Sequence, residues 1–257
     1  MIYSDTDLLP AKGGTVVPPS DFTSERPKNA VCKDIPKNFP RGRAHARINV
    51  LIACEESQTE CLAFREAGCN AFSSDLQNCS GNHPEWHIVG DCRQLFHTPC
   101  EFRTEDGTKH KVERWHLVIA HPPCTYLSRA GAAYLYAGKQ LNADRYSLGL
   151  EARHFFIQML NCGADHIAVE NPTPFRIFNL PKPSCVINPY EFGSQWQKRT
   201  LLWLENLPPL IPTLFNTRFR SYVRSTKGGK KRSKSFPQIA KAMVNQWLPI
   251  IVKDTAQ

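Results

Sequence analysis

His116-Leu117-Val118-Ile119-Ala120-His121-Pro122-Pro123-Cys124 is the stretch on which the fold turns. Its apolar run has no polar alternation, as in a strand buried on both faces of a sheet. The paired prolines then fix the backbone and hold the next side chain in a defined place. The same design recurs on either side. Upstream, Ile48-Asn49-Val50-Leu51-Ile52-Ala53-Cys54 ends in Glu55-Glu56-Ser57. Downstream, His166-Ile167-Ala168-Val169 ends in Glu170-Asn171-Pro172. Strand signals at 69–74 and 86–89 stop at Asp75 and at Gly90-Asp91, and 200–204 reads as a late strand. Between them, 57–67 carries Cys61, Leu62, Phe64 and Ala67 at helical spacing and is closed by Gly68. Residues 145–161 predict an amphipathic helix with Leu148, Ala152, Phe155, Phe156, Met159 and Leu160 inward. A closing helix is expected over 237–247, with proline in its first turn. Alternating buried strands and amphipathic helices predict an α/β, Rossmann-like domain, its mostly parallel sheet covered by helices on both faces. Ligands of such sheets bind beyond the carboxyl ends of the strands, and every polar cluster just named falls at such an end.

Composition agrees with one large domain. The chain has 257 residues, 41% hydrophobic and 21% charged, which excludes collagen, a coiled coil and a wholly disordered chain. No apolar run reaches the ~18 residues of a membrane span. The first residues show no secretory signal, so cytoplasmic residence is expected, with the ten cysteines as free thiols. None of them has C-x-x-C spacing, so no metal site is expected. Residues 1–46, punctuated by Pro18-Pro19, Pro27, Pro36 and Pro40, read as an irregular arm ahead of a domain spanning 47–257. The net charge of +9 is concentrated late, for no Asp or Glu stands between Asn206 and Lys253. Arg218, Arg220, Arg224, Lys230, Lys231, Arg232 and Lys234 interleave with Phe219, Tyr222 and Phe236. This basic loop over 216–235 suits phosphate backbones and stacked bases; a merely solvated loop is the plainer reading.

Two side chains stand out chemically. A cysteine held behind two prolines is an aimed nucleophile if its thiolate is stabilised, and otherwise an inert turn residue. A glutamate at the mouth of a sheet, in a partly dry site, is expected to have a raised pKa suited to proton donation; a capping or ion-paired glutamate is the alternative. Neighbouring parallel strands lie ~4.8 Å apart. If the strands ending at Ala120 and Val169 are neighbours, Cys124 and Glu170 share one pocket. His121 reads as a packing residue at a strand end, Asp75 and Asp91 as ligand or turn residues, and Trp86, Trp115, Trp203 and Trp247 as core.

Pro123-Cys124 followed by Glu170-Asn171 resembles the paired motifs of the DNA (cytosine-5)-methyltransferase family, especially its compact phage and prophage members. The resemblance spans residues 48–248 and implies a Rossmann-like S-adenosylmethionine-dependent methyltransferase fold acting on DNA. It implies that Cys124 attacks C6 of a cytosine and that Glu170 holds or protonates N3. The C5 position then takes the methyl group, the base having left the duplex stack. Asp75 would hold the cofactor ribose, Asp91 the adenine amino group, and Pro122 would lie beside them. Gln197-Lys198-Arg199 is similar to the family's Gln/Arg segment, with Arg199 as a partner for base or phosphate and Asn171 ordering its loop. Residues 235–242 are similar to the closing segment, which returns to the cofactor pocket.

Two departures accompany it. The first loop, Ala53-Cys54-Glu55-Glu56-Ser57-Gln58-Thr59, lacks the family's glycines. Glu55 or Glu56 would instead hold the cofactor's ammonium group, with helix capping the plainer reading for Glu56 and Ser57. Residues 205–234 also replace a large recognition domain. Sequence recognition is therefore expected to be short or absent, and RNA or a free nucleotide stays open as substrate. Two other readings remain: amino-group methylation of adenine or cytosine, and a module that kept the fold, lost catalysis and binds nucleic acid or protein.

Overall fold

The computed structural model describes residues 48–129, 134–226 and 234–256. The expected arm at 1–46, and Lys230, Lys231 and Arg232 of the basic loop, lie outside the described residues. Seven strands form the central sheet: β1 (Asn49–Ala53), β2 (Asn70–Asp75), β3 (His87–Val89), β4 (Leu117–Ala120), β5 (His166–Asn171), β6 (Cys185–Ile187) and β7 (Thr200–Glu205). Their order is β6-β7-β5-β4-β1-β2-β3. The pairings among β1 to β5 are parallel, and β7 runs antiparallel to both β5 and β6. The first five strands thus follow the doubly wound Rossmann order, and the order reverses between β1 and β4.

Because successive strand residues face opposite ways, the apolar runs feed two cores. Leu51, Ala53, Val118, Ala120, Ile167 and Val169 pack toward α2 (Ala143–Leu160), which contributes Phe156 and Met159. Val50, Ile52, Leu117, Ile119 and Ala168 face the other way, toward α1 (Thr59–Glu66) and α3 (Pro237–Thr255). Helices on both faces explain why these strands read as continuous apolar runs. No helix among the described residues is long and apolar enough to cross a membrane.

Three expectations change. The closing helix continues beyond 247 and passes Pro249. Pro249 is on the exposed side, and burial of Trp247, Leu248 and Ile251 holds together a helix that the proline alone would end. Leu148 does not face inward, being 39% exposed; Gly149, Arg153 and Ile157 are buried in its stead. Glu170 and Asn171 belong to β5 itself rather than to the turn after it.

Gly149 sets how closely α2 packs. A Cβ there would sit 2.1 Å from the Phe178 ring. Gly149→Ala is therefore expected to destabilise by about 1–3 kcal/mol through overpacking, although alanine is the better helix former. Denaturant unfolding measures this, and an unchanged midpoint would show that Phe178 yields freely.

Candidate active site

Ala53, Ala120 and Val169 stand in register across β1, β4 and β5, so three chain segments leave the sheet side by side at its switch point. The segment after β4 turns tightly, with the N–H groups of Leu127 and Ser128 donating to the Cys124 carbonyl at 3.2 and 2.9 Å. It is then joined to the segment after β5: Ser128 bridges Pro174, Arg129 N–H donates to Thr173 at 3.0 Å, and Phe175 N–H donates to Leu127 at 2.7 Å. The loop bearing Cys124 and the strand bearing Glu170 therefore share one mouth.

Glu170 is held there by Lys198 and His121. His121 Nδ1 lies 2.9 Å from Glu170 Oε2, while His121 Nε2 is 3.5 Å from Glu60 Oε1. Burial alone would raise the Glu170 carboxyl, but the Lys198 charge and the His121 hydrogen bond outweigh it and hold the pKa at about 2. This corrects the expectation of a raised pKa: Glu170 rests as a carboxylate, a proton acceptor rather than a loaded acid. His121 is opposed by burial but pushed up by Glu60 and Glu170. The Cys124 thiol is raised, first by burial and then by the Glu170 charge, with Lys198 opposing.

The β1–α1 loop divides its acids between two tasks. The Glu55 carboxyl accepts the N–H groups of Glu60 at 2.7 Å and Cys61 at 3.2 Å, so it caps α1 from the preceding turn. Burial and the neighbouring Glu60 raise its pKa well above the usual carboxyl range. Ser57 meets Thr59 Oγ1 at 3.1 Å and makes no cap. Glu56 is 8% exposed, and both its carboxyl oxygens are buried without a hydrogen-bond partner among the described residues. Although glycine-free, the loop has left-handed backbone at Cys54 (φ 60°) and Gln58 (φ 58°). Such geometry costs roughly 1–2 kcal/mol per residue. The buried Gln58 side chain offsets part of it by bonding both the carbonyl and the N–H of His83, at 2.9 and 3.1 Å.

The other expected site residues separate by their partners. Pro122 is buried at the mouth. Asp75 accepts the Gln77 N–H at 2.9 Å in a local turn. Asp91 caps a short 3-10 turn and is paired with Arg93, whose Nε lies 3.0 and 2.8 Å from its two oxygens; any adenine amino group would have to compete with that guanidinium. Asn171 does not order its loop through its side chain: the amide is buried, and neither its nitrogen nor its oxygen has a partner among the described residues. Arg199 is exposed, and Lys198 beside it is the residue that faces Glu170. Arg218, Arg220 and Arg224 are exposed. Their segment leads back to the site, since Tyr222 packs against Phe236 (5.0 Å), and Lys198 Nζ is 5.7 Å from that ring. Lys234 Nζ is 3.4 Å from Ser80 Oγ. Phe236, Lys198, Glu60 and Glu170 line one narrow cleft.

Sequence reading missed Lys198 and Glu60 and treated His121 as packing. An alternation argument could have found Lys198, which sits two residues before Thr200, on the same side of the chain. Nothing local marks Glu60. Among the described residues no group of His, Cys, Asp and Glu is arranged to hold a metal ion. No protein-family model and no curated protein matches this chain.

Proposed function

We propose that the chain is an S-adenosylmethionine-dependent methyltransferase acting on C5 of cytosine in DNA, with Cys124 as nucleophile. One observation supports this above others: the Cys124 loop and Glu170, which Lys198 and His121 hold as a carboxylate, share the mouth at the ends of β4 and β5, and side chains at the ends of β1, β2 and β5 bury polar atoms that have no partner among the described residues. Those atoms belong to Glu56, Ser74 and Asn171. Native proteins rarely leave such groups unpaired, and a polar ligand would satisfy them. The residues fit the methyl donor at its cationic end, where Glu56 would hold the ammonium group. Asp75 would take a ribose hydroxyl through Oδ2, which accepts no bond from the described residues. When bound, S-adenosylmethionine would supply an electrophilic methyl group.

The chain's own residues would do the rest. As the Cys124 sulfur bonds to C6 of the flipped base, Glu170 takes the thiol proton and passes it to N3, whose lone pair comes from the displaced π electrons. After methylation the C5 proton leaves, the C5–C6 double bond reforms, and the C–S bond breaks. N3 returns its proton through Glu170 to the thiol. One proton per turnover, that of C5, is released. Glu170 rests as a carboxylate, so it must accept a proton before it can give one to N3; its low pKa and the raised thiol make that first transfer the uphill part of the cycle.

Nucleoside mass spectrometry of DNA from cells expressing the protein tests the reading. 5-Methylcytosine with the wild type and none with a Cys124 variant is expected; methylated amino groups instead would replace the reading. The arginine segment gives a second test. Converting Arg218, Arg220 and Arg224 to alanine should weaken DNA binding and flatten its salt slope by about 0.9 for each phosphate the protein no longer neutralises. Equal affinity and slope in filter binding would remove these arginines from the interface.

A further inference from the structure

Glu60 has no part in the cycle above, yet it is 1% exposed, leaves Oε2 without a hydrogen-bond donor among the described residues and faces the imidazole that touches Glu170. We infer that Glu60, His121 and Lys198 are a positioning set for Glu170: Lys198 and His121 hold its carboxylate charged from two sides, and Glu60 steadies the imidazole from behind. The inference rests on reading Glu170 as the carboxylate that faces the base. Three elements converge to build the set: Glu60 from the first turn of α1, His121 from the end of β4 and Lys198 from the approach to β7. The groups facing the imidazole are Glu60, Glu170 and Lys198.

The physical need is plain. Burial favours the neutral form of a carboxyl group, so Glu170 without its cations would hold a proton and could not receive the one from Cys124. An imidazole between two acids supplies that charge through a fixed hydrogen bond, and it aims Oε2 away from the base. Oε1, which accepts no bond from the described residues, is left for the substrate. Glu55 stands behind Glu60 and adds to the set only through it: its oxygens accept the N–H groups of α1, and its carboxyl also hydrogen-bonds the Glu60 side chain.

Carbon-13 NMR of the glutamate side-chain carboxyl carbons tests the set without relying on turnover, with Glu170→Gln used to assign the signal. In the wild type the Glu170 carbon is expected to show no titration step between about pH 4.5 and 9. In Lys198→Met, and separately in His121→Asn, a step should appear inside that window, an acid constant changed by about a hundredfold or more. Glu60→Gln should lower the pH at which the His121 ring titrates. Where methylation is measured, kcat in the Lys198 and His121 variants should fall on the acid side with the same midpoint, while KM for S-adenosylmethionine stays put. An ordinary carboxyl titration in the wild type, or no step in either variant, would overturn the set. A shifted step in a protein that methylates no cytosine would leave the set standing and discard the methyltransferase reading.

Discussion

Cys124→Ser is expected to abolish methyl transfer, lowering the rate by at least about a thousandfold, while S-adenosylmethionine still binds within a few fold of wild type. The hydroxyl is far less acidic and less nucleophilic than the thiol, and the site makes proton removal hard even for sulfur, because burial and the Glu170 charge both push the Cys124 thiol up. The substitution should leave the local structure intact. The tight turn after Cys124 is closed through its backbone carbonyl, to which Leu127 and Ser128 donate, and the Ser128 side chain that meets the sulfur can bond a serine oxygen as well. Radiolabelled methyl transfer to DNA and calorimetry with the cofactor measure the two halves. A serine variant that keeps a tenth of the rate would refute the nucleophile assignment. A wild-type protein that gives no heat with S-adenosylmethionine would favour the catalytically lapsed binding module.

The sheet was legible because burial on two faces writes itself into sequence as unbroken apolar runs. Ile48 to Ala53, His116 to Ala120 and His166 to Val169 are such runs, and the structure makes them the three central strands. β6 was not legible: it has only the three residues Cys185–Ile187, lies at the sheet edge and pairs on one side, so no long apolar run is required of it. The site was legible where it depends on strand ends, since Cys124 and Glu170 reach one mouth through the pairing of Ala120 with Val169. Charge state was not. Whether a buried carboxyl is neutral or ionised depends on which cations lie across the cleft, and Lys198 is brought there by β7, whose reversed direction no local pattern announces. The same holds for the first loop. It holds no glycine, yet Cys54 and Gln58 adopt left-handed geometry. The compensation is a Gln58 side chain buried against His83, a tertiary contact invisible in the sequence.

Glu56→Met is expected to separate stability from function in opposite directions. Glu56 has both carboxyl oxygens buried without a hydrogen-bond partner among the described residues, and burying them so carries a desolvation cost. An unbranched apolar side chain of similar length removes that cost, and the variant should be more stable by about 1–3 kcal/mol. If Glu56 exists to meet the ammonium group of the methyl donor, the same change should weaken S-adenosylmethionine binding by about tenfold to a hundredfold, the worth of one buried charge-assisted hydrogen bond. The backbone of the loop should persist, because the Glu56 carbonyl, not its side chain, accepts the Ser80 N–H at 2.8 Å, and Gln58 keeps its clamp on His83. Thermal melts with and without cofactor read both effects at once: a higher melting temperature in the free variant, and a smaller rise on adding cofactor. A residue that is only structural would lose stability on substitution. A variant that is destabilised, or that binds the cofactor as tightly as wild type, would take Glu56 out of the pocket and leave the glycine-free loop without a ligand-holding group.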